Sequence, residues 1–183
     1  MIRPDERILA LCPADHFIGR ESELDQLLDL AGSAESGGID ILCSPGAGST
    51  ELFLQAFDRL FRNPEGVIPF YFALRPTDRS PIEAARRYLR EFLTQVIAFR
   101  RRDPSIIDSA PDLNELSELA LPSDGLWVDR LVESARSCAG ADHSLVPGLI
   151  SAPARAAAHG VQIFALIDEL ELSMFWGDDE SFV

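Results

Sequence analysis

The sequence contains no lysine. All 16 basic residues are arginines, and they stand against 30 acidic residues for a formal net charge of −14. An excess of negative charge repels phosphate polyanions, so we do not expect nucleic acid to be the main partner. Any chemistry that needs a lysine ammonium must take its cation from an arginine or from another chain.

Cysteine and histidine are scarce, with three of each, and none of them falls at the spacing of a metal site. They are Cys12, Cys43, Cys138, His16, His143 and His159. An odd number of cysteines without a C-x-x-C pair argues against a disulfide framework. We expect reduced thiols and ordinary histidines, with no zinc centre.

Long apolar runs and a secretion signal are also missing. No stretch is long enough to cross a bilayer, and the N-terminus lacks a charged n-region followed by an apolar segment. The chain is therefore expected to be cytoplasmic and to have no membrane partner. Its 183 residues, 46% of them hydrophobic, predict one domain over 1–183 with a continuous core.

Periodicity predicts helices that alternate with strands. Helical spacing of apolar residues covers 21–31, 49–62 and 82–102, whereas short β-rich runs cover 39–43, 67–74 and 161–167. Pro69, in the second of these strands, is expected to cost one ladder hydrogen bond and to mark a strand start or an edge strand. The stretch between the last two strands is expected to be a helical crossover over 76–160, in which Asp112 and Glu115 form a capping box. Such alternation predicts an α/β fold in which helices flank a parallel sheet in three layers.

Two predicted strand ends carry chemistry, and ligands of parallel sheets bind at such ends. After the first strand, 44–50 reads Ser-Pro-Gly-Ala-Gly-Ser-Thr and opens a helix. Glycines let backbone N–H groups surround phosphate oxygens at a helix N-terminus, and the Thr50 hydroxyl suits magnesium. The last strand runs into Asp168 and Glu169, which suit a water-bound magnesium and the orientation of an attacking water.

Together these motifs resemble P-loop NTPases of the AAA+ and STAND type. The run 17–24, Phe-Ile-Gly-Arg-Glu-Ser-Glu-Leu, is similar to their F-x-G-R-E-x-E-L box, and 45–52 is similar to their P-G-x-G-K-T-E-L Walker A motif. The strand ending at Asp168 and Glu169 resembles Walker B. The resemblance covers 16–75 and 161–170.

The resemblance implies binding of ATP or ADP with magnesium. It implies an adenine pocket at the backbone of Phe17, Ile18 and Gly19, metal ligation by Thr50 and Asp168, and catalysis by Glu169. The phosphate-binding residues that it implies are Pro45, Gly46, Ala47, Gly48, Ser49, Thr50 and Glu51.

The P-loop departs from the family pattern at two positions. Cys43 stands where Walker A begins with glycine, and Ser49 stands in place of its lysine. Loss of a charge-assisted hydrogen bond worth about 1.5 to 3 kcal/mol lowers ground-state affinity roughly 10- to 200-fold. The transition state should lose more. Three arginines are candidates to compensate: Arg20, Arg75 and Arg79.

Only 14 residues follow Glu169, which is too few for the sensor strand, arginine finger and helical lid that the resemblance implies. We therefore expect a fragment or a trimmed relative, truncated after the Walker B strand. A sheet of three strands leaves an edge open, and an open edge favours pairing with another chain. A protein partner or a homo-oligomer is expected.

Three functions remain open from the sequence. The first is a degenerate P-loop domain with weak or no ATP hydrolysis that serves as a regulatory or scaffolding module. The second is an active ATPase in which an arginine or a partner residue replaces the lysine. The third is a protein-interaction domain that does not use nucleotide at all, in which the glycines merely form a turn.

Overall fold

The computed structural model describes residues 7–33, 37–44, 46–63, 66–78, 80–137 and 145–176. Within them, helices surround a small parallel sheet. The elements are α1 (Glu21–Gly32), α2 (Ser49–Arg62), β1 (Ile68–Ala73), α3 (Pro81–Arg101), α4 (Ser105–Ser109), α5 (Leu113–Leu119), α6 (Gly125–Ser137), α7 (Val146–Ile150), α8 (Ala152–Ala157) and β2 (Ile163–Asp168). Single 3₁₀ segments lie at Ala14–His16 and Leu170–Trp176.

Local signals position the helices as the sequence predicts. The Ser80 hydroxyl accepts a hydrogen bond from the Glu83 amide at the start of α3. Asp112 and Glu115 form the predicted capping box that opens α5. Because these side chains satisfy the first free N–H groups of each helix, they fix where α3 and α5 begin.

An aromatic cluster fills the space between β1 and α3. The ring of Phe70 on β1 meets the edges of Tyr88 and Phe92 on α3 at centroid distances of 4.9 and 5.2 Å. A second group joins the last turn of α2 to α3, where Phe61 contacts Phe99 at 5.5 Å. These rings pack in the edge-to-face arrangement that aromatic pairs prefer, and they fix β1 against the two longest helices.

The two strands are parallel and pair from Ile68 opposite Ile163 to Ala73 opposite Asp168. The Ile68 amide donates to the carbonyl of Gln162. Because ladder groups alternate along a strand, Pro69 faces away from β2. Pro69 therefore costs no ladder hydrogen bond, contrary to the prediction, and it lies on an edge strand, as predicted.

The outer edge of β1 is covered by a side chain of α3. The Gln95 amide accepts a hydrogen bond from the Tyr71 N–H at 2.8 Å and donates one to the Tyr71 carbonyl at 2.9 Å. Gln95 is itself buried. A glutamine thus replaces the missing neighbouring strand at the middle of β1.

The prediction of a strand over 39–43 is wrong. The segment has no strand pairing, and its apolar side chains face solvent, with exposures of 60% for Ile39, 36% for Ile41 and 96% for Leu42. Strand propensity expresses packing on a pleated surface, and this five-residue run lacks the packing. The described residues therefore form a helix-rich α/β fold with a two-stranded sheet, and the three-layered arrangement stays a prediction.

Among the described helices, none combines the length and the apolar character needed to span a membrane.

Candidate functional site

The glycine loop leads into α2 as predicted, and its two glycines have left-handed backbone conformations. Gly46 and Gly48 have φ values of 77° and 78°, a left-handed conformation that favours glycine. Gly48 is the N-terminal cap of α2, and as a glycine it has no side chain to accept a hydrogen bond from the first amides of the helix. An α-helix leaves these N–H groups without an internal partner, so they present donors and a partial positive charge.

Arg20 contacts this loop from the start of α1. Its Nη1 donates a hydrogen bond to the Ala47 carbonyl at 2.8 Å, and its Nε lies 3.4 Å from a carboxylate oxygen of Glu23. The same Nη1 lies 4.0 Å from the point where a Cβ on Gly48 would stand. The guanidinium therefore adds a fixed positive charge beside the loop amides.

The other two candidate arginines are Arg75 and Arg79. Arg75 follows β1, and its Nη2 pairs with Glu91 of α3 at 3.0 Å. Arg20 is also paired with a carboxylate, that of Glu23, but it contacts the loop as well. Arg79 lies outside the described residues. Of the two that the structure describes, Arg20 is the arginine at the loop.

The predicted phosphate-binding residues of the loop differ in their exposure to solvent. Gly46, Ala47 and Gly48 are exposed, and Ser49 and Thr50 are half-buried at the first turn of α2. Pro45 lies outside the described residues.

Glu51, the last of the predicted phosphate-binding residues, faces the N-terminal segment instead. It accepts hydrogen bonds from the backbone N–H groups of Leu11 and Cys12 at 3.0 and 3.2 Å and from the Gln55 amide at 2.8 Å. Desolvation raises its pKa, but the hydrogen bonds from Gln55, Cys12 and Leu11 outweigh that effect and hold it below the ordinary value. Glu51 thus ties residues 11–12 to α2, and its predicted contact with a ligand stays a prediction.

Asp58 extends this attachment, which sequence reasoning missed. Its carboxylate is buried and accepts hydrogen bonds from the amides of Ile8, Leu9 and Ala10. The sequence signal was available, because Glu51, Gln55 and Asp58 are polar residues at helical spacing on one face of α2. These contacts hold the segment that leads toward the predicted adenine-pocket residues.

The predicted adenine-pocket residues lie between this segment and α1. Phe17 packs partly against the core, whereas Ile18 is 80% exposed. Gly19 has a φ of 88°, and its amide donates to Glu21 at 2.9 Å. The turn at Gly19 directs the next residue, Arg20, into α1 and toward the loop.

Asp168 and Glu169 end β2, as predicted. Asp168 is buried, and its two oxygens accept hydrogen bonds from the Tyr71 hydroxyl at 3.2 Å and from the Glu169 amide at 3.0 Å. Burial and the nearby Asp168 charge raise the pKa of Tyr71. Tyr71 was not found from the sequence, because a strand tyrosine carries no signal of a long-range contact.

Glu169 stands in an unusual backbone conformation. Its φ is 58°, in the left-handed region that a residue with a Cβ seldom adopts. Desolvation, followed by the charges of Glu171 and Asp168, raises the pKa of its carboxyl. A carboxyl with a raised pKa is a better proton acceptor than an ordinary glutamate.

The arrangement fits an anion more fully than a metal ion. Free first-turn amides, a glycine turn and Arg20 suit a phosphate group. No cluster of three or more histidine, cysteine, aspartate or glutamate side chains able to hold a metal is found in the described part of the chain. Metal ligation by Thr50 and Asp168 stays a prediction.

No family model matches the chain, and no curated protein or solved structure is significantly similar to it. The P-loop resemblance therefore depends on the residues of this sequence alone.

Proposed function

We propose that the chain is a degenerate P-loop domain that binds ATP or ADP weakly through the phosphates, hydrolyses ATP poorly or not at all, and serves as a regulatory or scaffolding module. The observation that carries the proposal is the Arg20 guanidinium at the glycine loop, 2.8 Å from the Ala47 carbonyl. It supplies positive charge at a loop whose usual cation is replaced by Ser49.

The same contact explains why binding should exceed catalysis. The guanidinium is shared with the Ala47 carbonyl and with Glu23, so it is held in place beside the loop. A fixed cation attracts phosphate in the ground state. Its donors are already directed at the Ala47 carbonyl and the Glu23 carboxylate, so they are not aimed at the charge that develops on the transferred group, as catalysis requires.

Calorimetric titration of the chain with MgATP and MgADP tests this proposal. We expect weak binding by the wild type, further weakening in Arg20→Gln, and a gain of roughly 10- to 200-fold in Ser49→Lys, which restores the missing charge. Arg59→Gln is the matched control, because Arg59 is an exposed arginine of α2 whose nearest carboxylate, on Asp25, is 3.8 Å away. It removes the same charge and should leave affinity unchanged.

Two results would contradict the proposal. If neither the wild type nor Ser49→Lys bound nucleotide, the loop would be a structural turn. If the wild type bound with submicromolar affinity and Arg20→Gln had no effect, a full-strength site independent of Arg20 would be present.

A second candidate, a protein-interaction domain that uses no nucleotide, is favoured by the outer edge of β2, which has no strand partner among the described residues. The ladder partners of β1 are even-numbered residues, so the backbone groups of Ile163, Ala165 and Ile167 face the other side. A groove of about 590 Å³ runs along that edge, beside the exposed residue Gly37. An edge with free backbone groups favours the addition of a strand from a second chain.

Ala165→Pro separates this candidate from the first. Proline removes only the outward N–H of Ala165 and leaves the bonds to β1 intact, as Pro69 does on the other strand. If this edge forms a homo-oligomer, light scattering gives a multiple of the chain mass for the wild type and the chain mass for the variant. A wild-type monomer would exclude self-association through the edge.

A further inference from the structure

A cavity of about 550 Å³ lies between α3, α5 and α6. Four of its lining residues are arginines, namely Arg86, Arg87, Arg90 and Arg136. They are a quarter of the 16 basic residues in a chain whose net charge is −14. Positive charge is thus concentrated at one concave place on an acidic protein, and such focusing attracts small anions.

Arg87 lines one side of the cavity, but its charge is already paired with carboxylates. Its guanidinium pairs with Asp78 at 2.6 Å and with Glu91 at 3.0 Å, and it lies over the Phe72 ring at 4.2 Å. Its side chain is only 11% exposed. These contacts neutralise its charge and hold this side of the cavity rigid.

Arg86 and Arg90 stand one helical turn apart on α3, and both line the cavity. Arg90 is exposed, and its guanidinium makes no hydrogen bond or ion pair with the residues that the structure describes. Its donors are available to a ligand.

Arg136 faces these two residues from α6. Its guanidinium donates to the Asn114 side chain, and the carboxylate of Glu133 is 3.9 Å away and largely exposed. The acidic residue in the lining is Asp112, whose Oδ1 already accepts hydrogen bonds from the amides of Asn114 and Glu115. Arginines on two helices therefore converge on one space with a single carboxylate in its wall.

The cavity also has an apolar part, formed by Leu113 and Ala135. Its volume lies in the range of about 300 to 1,000 Å³ that is typical of small-molecule sites. We propose that this cavity binds a small organic anion through its phosphate or carboxylate oxygens, with Arg90 and Arg136 as the residues that grip it. The site shares no lining residue with the glycine loop, so it is separate from the proposed nucleotide site.

The test is calorimetric titration of the full chain with two probes, pyrophosphate for the phosphate arm and citrate for the carboxylate arm. We expect Arg90→Gln and Arg136→Gln each to lower affinity about tenfold, since each removes a charge-assisted hydrogen bond. Arg130→Gln, which removes an exposed arginine of α6 outside this cavity, should change affinity less than about twofold. Arg20→Gln should have as little effect on citrate binding. Because pyrophosphate can also occupy the proposed nucleotide site, its binding should change in this variant only by the share that the glycine loop contributes.

Several outcomes would overturn the proposal. Absence of binding by both probes up to about 1 mM would do so, because that limit corresponds to only about 4 kcal/mol. Equal losses in Arg90→Gln and Arg130→Gln would mean that the anions respond only to overall charge. A loss confined to Arg20→Gln would place the anion at the glycine loop. Binding of a hexaglutamate peptide with neither small probe bound would indicate a peptide surface instead.

Discussion

The two edges of the small sheet differ in whether their outward backbone groups have hydrogen-bond partners. On β1, both backbone groups of Tyr71 are bonded to the buried Gln95, and Pro69 has no N–H to satisfy. On β2, the outward backbone groups of Ile163, Ala165 and Ile167 have no strand partner in the part of the chain that the structure describes. One edge is closed by a side chain, and the other is open.

This difference indicates that β1 contributes mainly to stability, whereas β2 carries the residues suited to chemistry. β1 is packed between α2 and α3 in the aromatic core, and its residues are mostly buried. β2 is only half-buried, its first residues line the groove, and its last residue, Asp168, is followed by Glu169. Binding and partner exchange need accessible groups, so we expect function on the β2 side and stability on the β1 side.

The largest expected effect comes from the matched pair Phe70→Ala and Phe164→Ala. Phe70 on β1 is fully buried, and truncation of such a ring costs about 3 to 5 kcal/mol of unfolding free energy. Phe164 on β2 is half-buried, and its truncation to alanine should cost about 1 to 2 kcal/mol of unfolding free energy. Urea unfolding of both variants measures the difference, and equal losses would show that the two strands are equally part of the core.

Hydrogen exchange sharpens the same comparison at the backbone. The inward amides of Phe70 and Phe72 should exchange at least about 100-fold more slowly than the outward amides of Ala165 and Ile167. The reason is that only the inward groups donate to the ladder. Comparable protection of the outward amides would mean that a third strand, such as the one predicted over 39–43, pairs with β2 in solution.

Gln95→Leu tests the closure of the β1 edge. It leaves the N–H and the carbonyl of Tyr71 without their partner and should lower the unfolding free energy by about 2 kcal/mol. Gln162→Leu is the control, because Gln162 is exposed, and it should change stability by less than about 0.5 kcal/mol. If the two substitutions cost the same, Gln95 does not act as the cover of this edge.

The smallest effect is expected at the end of β2. Glu169→Gly removes the Cβ strain of a φ of 58° and should raise the unfolding free energy by up to about 1 kcal/mol. Glu169→Ala keeps the strain and serves as the control. A thermal melt of both variants checks this, and a lower Tm for the glycine variant would argue against strain at this position.

The sequence predicted local structure well and long-range contacts poorly. Helix α2 and the capping box of Asp112 and Glu115 are as predicted, because helical periodicity and caps are local signals. The strand over 39–43 was wrong, since the same apolar pattern suits a strand only where a neighbour covers it.

The local structure around the candidate site was predicted in part. The glycine turn and the acidic end of β2 lie where the motifs placed them, and Arg20, one of three arginines named, reaches the loop. The hydrogen bond from Tyr71 to Asp168 could not be predicted, because it joins residues 97 positions apart. Nothing in the local pattern of either residue indicates it.

Single-turnover hydrolysis of ATP by the purified chain tests the central claim most directly, with Glu169→Gln measured beside the wild type to exclude contaminating activity. The account predicts no phosphate release by the wild type above that of the variant, because Ser49 and a tethered Arg20 do not stabilise the transferring group. Rapid hydrolysis by the wild type that disappears in Glu169→Gln would contradict it.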